Sequence, residues 1–158
     1  MTPKAPLLVF GFGNPSRGDD ALGPEFVSRV ESGFSEAIGR GELEVLTDFQ
    51  LQVEHALDLE GRERVYFVDA SATEALPFSV TRVSATRDAS FTTHLLSPAA
   101  LLHTFGEVAQ GPAPECWLIA IAGHGFELGA PMSELASGNL VAALEAFGSV
   151  LKATRAGS

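Results

Sequence analysis

The sequence predicts an α/β protein, a three-layer sandwich in which a mostly parallel, twisted sheet of about five strands carries helices on both faces. Three observations predict it. Short apolar runs alternate along the chain with stretches of helical spacing. Three of those runs are apolar nearly throughout, as strands buried on both faces are. The 158 residues suit a single domain, 1–158, with a core that needs no staples.

Leu7-Leu8-Val9-Phe10 is the first strand, and Gly11-Phe12-Gly13-Asn14-Pro15 turns out of it. Leu22, Phe26, Val27 and Val30 then mark one face of a helix, with Gly23-Pro24 as its N-cap and first helical position. Gly39, Arg40 and Gly41 break that pattern. Leu43 to Thr47 alternates as a second strand ending at Asp48. Val53, Ala56, Leu57 and Leu59 predict a short helix closed by Gly61. Val65 to Val68 is a third strand, ended by Asp69. The alternating stretch from Phe78 to Val83 follows too soon to allow a crossover helix, so it is antiparallel and at an edge. Ser97-Pro98 caps and opens a helix with Leu101, Leu102 and Phe105 on one face. Cys116 to Ile121 is the most hydrophobic strand, and a last helix from about Ser133 to Lys152 carries Leu135, Leu140, Leu144, Phe147 and Leu151.

Charge and cysteine content narrow the function. Twenty Asp and Glu against ten Lys and Arg give a formal net charge of -10, which disfavours nucleic acid and anionic membrane as partners. One cysteine, Cys116, permits neither an internal disulfide nor a Cys-based zinc knuckle, and it suits a reducing cytoplasm. No apolar run approaches the ~20 residues that span a bilayer, and the start lacks a signal h-region, so a cytoplasmic protein is expected.

In an open α/β sheet the ligand crevice lies outside the carboxyl ends of the strands. The first strand delivers Gly11 to Asp20 there, the second Asp48 and the third Asp69. If the first strand lies between the other two, these acids converge. Asp19 and Asp20 repel each other and call for a cation, a helix N-terminus or solvent. Because neighbouring side chains diverge, one can cap the following helix while the other faces the crevice. For Asp69, a solvated turn is the plain alternative to a site role. Of the four histidines, His94 fits the crevice best, in a polar stretch just before the Ser97-Pro98 helix start. His55 and His103 read as helix-surface positions, and His124 as part of a glycine-flanked loop. Asp20, Asp69 and His94 would offer two oxygens and one nitrogen, a set suited to nickel or zinc with water completing the shell.

Other chemistries fit less well. Ser16 stands where a dinucleotide fingerprint needs its third glycine, and Asp19 and Asp20 would oppose a pyrophosphate. No Walker loop and no G-x-S-x-G elbow is present. Cys116 begins a strand, at the end of the sheet away from the crevice, and reads as packing rather than nucleophile.

Gly11-Phe12-Gly13-Asn14, four residues, then Asp19-Asp20-Ala21-Leu22-Gly23 resembles the signature of the nickel–iron hydrogenase maturation endopeptidases, Gly-x-Gly-Asn, four residues, Asp-Asp/Glu-Gly-x-Gly. The order of the remaining elements is similar over nearly the whole chain. The resemblance implies a twisted five-stranded sheet between helices. It implies that Asp20, Asp69 and His94 engage nickel held by the substrate, with Asp48 assisting proton transfer and no nucleotide cofactor. The implied activity is removal of a C-terminal extension from the hydrogenase large-subunit precursor after nickel insertion. Two positions depart from the pattern. Ala21 replaces a glycine, a mild change unless positive φ is required there. Asp48-Phe49-Gln50-Leu51 stands where Asp-Gly-Gly-Thr is common, and resembles a branch associated with soluble, cytoplasmic hydrogenases. A non-catalytic nickel-handling module and a metal-dependent hydrolase of small molecules are the competing readings of the same three ligands.

Overall fold

The computed structural model describes residues 4–86 and 96–156. Its five strands are β1 (Leu7–Phe12), β2 (Leu43–Asp48), β3 (Arg64–Ser71), β4 (Phe78–Val83) and β5 (Glu115–Ala122), in sheet order β2-β1-β3-β5-β4. β1, β2, β3 and β5 run parallel, and β4 pairs antiparallel with β5 at the edge. The first strand thus lies between the second and third, as convergence of the acids requires.

The helices are α1 (Leu22–Gly33), α2 (Ser35–Gly39), α3 (Ala56–Leu59), α4 (Pro98–Val108) and α5 (Glu134–Ala156). The two faces of the sheet carry separate cores. On one face, Val9, Tyr66, Val68 and Ile119 meet Phe26 and Val30 of α1 and Leu140 and Phe147 of α5. On the other, Leu8, Phe10, Val65 and Phe67 meet Leu59 of α3 and Leu101 and Phe105 of α4. Alternation of side chains along each strand feeds both, which is why the central strands are apolar nearly throughout. Ser97 caps α4, its Oγ accepting from the Ala100 N–H at 3.0 Å, with Pro98 directly inside, as predicted.

Four predictions are corrected. Gly23-Pro24 is not the cap of α1: the helix begins at Leu22, behind a 3-10 turn at Gly18–Ala21, and Pro24 falls in the first turn, where no N–H partner is needed. The helix predicted around Val53 is a 3-10 turn, Val53–His55, running into α3, and only Ala56 and Leu59 are buried there. A 3-10 turn advances three residues per turn, so the apolar phase slips and Val53 and Leu57 are exposed. β3 does not stop at Asp69 but continues to Ser71 alongside β5. Leu135 is exposed, one position off the buried face Ala136, Leu140, Ala143, Phe147 and Leu151.

At the amino edge of the sheet, the buried Arg62 guanidinium joins Glu44 at 2.9 and 3.2 Å and the carbonyls of Ala5 and Asp58 at 2.9 Å each. The Arg62 contact holds the Glu44 carboxyl below its ordinary pKa. Cys116 is buried at this same edge, and burial pushes its thiol up to about 12, so it stays an unreactive packing group.

One glycine fixes how α1 meets the sheet. A Cβ on Gly23 would stand 2.5 Å from the Phe12 carbonyl oxygen and 2.8 Å from that of Val68. The helix backbone therefore lies directly on β1 and β3, with Gly11 its contact on β1. Gly23→Ala is expected to destabilise the fold by about 3 kcal/mol, read as a lower urea midpoint at unchanged slope, because backbone rather than a side chain must move.

Candidate active site

The site lies at the carboxyl ends of β1 and β3. The chain leaves β1 to one side to form β2 and returns to the other side to form β3, so the crevice sits at a topological switch point. Pairing of β1 with β3 ends at Gly11 and Val68. Asp69 is the next residue, half-buried, beside β5 but past its last pairing with β1.

Asp20 reaches the crevice through the turn that follows β1. Gly13, at φ +150, lets the backbone pass the Asp20 carbonyl oxygen, which a Cβ would meet at 2.1 Å. The Asn14 N–H donates to Asp20 Oδ2 at 2.6 Å, and Asn14 Oδ1 accepts from the Ser16 N–H at 2.9 Å. Ala21, at φ -71, is an ordinary right-handed residue, so the glycine it replaces is not needed for conformation.

Asp19 and Asp20 divide in an unexpected way. Neither caps the helix that follows. Asp19 is fully buried and turns to the far end of the chain. Its carboxylate accepts from the N–H groups of His124 (2.7 Å), Gly125 (3.1 Å) and Ser133 (2.7 Å) and from the Ser133 hydroxyl (2.8 Å). Ser133 Oγ in turn caps α5 through the Ala136 N–H. Burial by itself would raise the Asp19 pKa, but the four donors together hold it below the ordinary carboxylate value. Sequence reasoning missed this role because the partners lie more than a hundred residues away.

Asp20 and Asp69 both line a cavity of about 430 Å³, together with Phe12, Phe49, Gln50, Leu51 and Leu96. Burial and the neighbouring Asp20 charge push Asp69 up to about 7, partly offset by the Ala70 N–H. One carboxyl of the pair therefore holds a proton near neutrality.

Asp48 does not line this cavity; its neighbours Phe49, Gln50 and Leu51 do. Its oxygens accept from the Phe49 N–H (2.7 Å) and from His55 Nε2 (3.1 Å). His55 is thus no helix-surface residue: its side chain is only 14% exposed and its ring lies edge-on against Phe10. His103 is a surface residue of α4, paired with Glu107 one turn on, and His124 is exposed in the loop after β5. His94 lies outside the described residues. Among the described residues no three His, Cys, Asp or Glu side chains could hold a metal together. The two carboxylates present fit a hard or borderline divalent ion whose remaining ligands come from elsewhere.

No protein-family model matches the chain, and no curated protein matches it. Solved structures do. The NiFe hydrogenase maturation protease HycI from Thermococcus kodakarensis superposes with a TM-score of 0.70 at 21% identity, over 94% of each chain. The hydrogenase maturating endopeptidase HybD from E. coli gives 0.69 at 20% identity, over 94% of this chain and 93% of that one. A hydrogenase 2 maturation peptidase from a Thaumarchaeota archaeon gives 0.60 at 23% identity, over 92% and 97%. At these identities the likeness is one of fold: the chain shares the architecture of these maturation proteases over more than nine-tenths of its length.

Proposed function

We propose that this protein is an endopeptidase that removes the C-terminal extension of a nickel–iron hydrogenase large-subunit precursor after nickel insertion. The observation that carries the proposal is the pair Asp20 and Asp69, facing one cavity at the switch point of a fold shared with proteases of that name. Nickel belongs to the substrate, held by the precursor's own cysteines, and Asp20, Asp69 and His94 engage it there. Leu96, two positions after His94 in sequence, lines the same cavity. Engagement of the metal would set the scissile bond beside the carboxyl pair. Free of substrate, the pair keeps a proton because Asp69 is pushed up to about 7; a carboxylate that engages nickel gives that proton up, and only a carboxyl not so engaged can pass one to the leaving amine. Asp48 acts next to the cavity rather than in it. Such a reaction belongs to the cytoplasm, and among the described residues no helix is long and apolar enough to cross a membrane.

The test mixes purified protein with nickel-loaded and nickel-free precursor and follows the mass of the large subunit. Loss of mass in the nickel-loaded sample alone supports the proposal. Stoichiometric nickel uptake with no cleavage favours a nickel-handling module instead. His94→Ala is expected to slow processing about a hundredfold. His103→Ala, which loses its bond to Glu107 on the surface of α4, is expected to process like the wild type.

A further inference from the structure

His55 is held by more contacts than a histidine on a short turn needs. The Gln52 N–H donates to its Nδ1 at 2.8 Å, so Nδ1 carries no hydrogen and the ring is neutral with its proton on Nε2. Nε2 then donates to Asp48 Oδ2 at 3.1 Å, while Asp48 Oδ1 accepts from the Phe49 N–H at 2.7 Å. The His55 N–H closes back on the Gln52 carbonyl at 2.9 Å. Edge contact with the buried Phe10 ring, centroids 4.7 Å apart, fixes the imidazole to β1. Both ends of the three-residue segment Phe49-Gln50-Leu51 are therefore tied to one side chain. That segment belongs to no strand or helix, yet all three residues line the cavity that holds Asp20 and Asp69. Leu51 is buried, whereas Phe49 is 66% exposed and offers its ring to whatever enters.

Resting on the endopeptidase reading above, we infer that His55 is a positioning residue for the substrate: it clamps residues 48–52 so that Phe49, Gln50 and Leu51 form a fixed wall for the peptide chain entering the cavity. The clamp needs both ring nitrogens, one as acceptor and one as donor. Capping of the 3-10 turn alone would need only the acceptor.

The test has one arm without substrate and one with it. In nitrogen-15 spectra of the whole protein, His55 should show the Nε2-protonated tautomer. His55→Ala should speed hydrogen exchange at the Phe49 and Gln52 amides by about tenfold, since both lose their restraint. With nickel-loaded precursor it should raise KM about tenfold and leave kcat within about threefold, the mark of lost binding rather than lost chemistry. His55→Asn keeps an acceptor at the δ position but no donor to reach Asp48. It should restore protection at Gln52 and leave KM raised. A proton on Nδ1, unaltered exchange in His55→Ala, or full recovery of KM in His55→Asn would each overturn the clamp, the last by reducing His55 to a turn cap. If the wild-type chain cleaves no precursor, the proposed function fails separately, and the tautomer and exchange results still decide the clamp. Unfolding of His55→Ala would not protect the proposal, because the tautomer is read on the wild-type chain.

Discussion

Asp69→Asn is expected to cut precursor processing by about a thousandfold while making the protein more stable at alkaline pH. Both effects come from one environment. The folded chain keeps the Asp69 proton up to about 7, whereas the ordinary value is 3.8. Between those values the folded state binds more protons than the unfolded state, so stability falls as pH rises through the interval. Below it the penalty is absent, and above it the penalty is complete. A neutral amide escapes the penalty, so the variant should gain up to about 4 kcal/mol at about pH 8 and nothing at about pH 4. Urea unfolding at the two pH values, beside the processing assay, checks both halves. An inactive variant with no stability gain at the higher pH would mean that Asp69 ionises there without cost, and burial would lose its place in the account. A gain of stability with full activity would remove Asp69 from the chemistry.

The second large effect is expected at Asp19. Asp19→Ala leaves three backbone N–H groups and a hydroxyl without their acceptor in a buried site. The expected loss is about 3–4 kcal/mol, seen in the urea midpoint. Asp19→Asn should recover part of it, because one oxygen can still serve His124, Gly125 and the Ser133 hydroxyl while the new amide N–H₂ confronts the Ser133 N–H. The wild-type contribution also has a pH sign. With its folded pKa below 3.8, Asp19 stabilises fully above that value, and the stabilisation is lost as pH falls through the folded pKa. An Asp19→Ala variant as stable as the wild type at neutral pH would show that the loop after β5 stands without its carboxylate.

The two substitutions also mark what a one-dimensional reading could reach. The layer order was legible because β1, β3 and β5 are apolar on both faces, and β4 was placed at the edge because too few residues precede it for a crossover. Ser97-Pro98 declared the start of α4 through local chemistry alone. Asp20 and Asp69 were legible as crevice residues since strand ends in such sheets share one side. Asp19 was not, because its partners at 124, 125 and 133 become neighbours only once β5 and α5 are in place. His55 was misread for a related reason: a surface helix and a bonded 3-10 turn have similar local composition, and the Asp48 carboxylate that separates them lies seven residues back. Gly23 looked like a cap because a glycine before a proline commonly is one, while its work is to let two backbones touch.

The Asp19 brace also bears on when the site can exist. Asp20 follows Asp19 directly, and Asp19 is secured by the cap of α5, 114 positions further along the chain. During synthesis β1, β2 and β3 can emerge and pair while the residue beside Asp20 still lacks its acceptor's partners. Contacts of such long range form late and set the pace of folding. The turn that carries Asp20 is therefore expected to be fixed beside Asp69 only as the last helix docks, so a nascent chain lacking that helix holds both acids with Asp19 still unbraced.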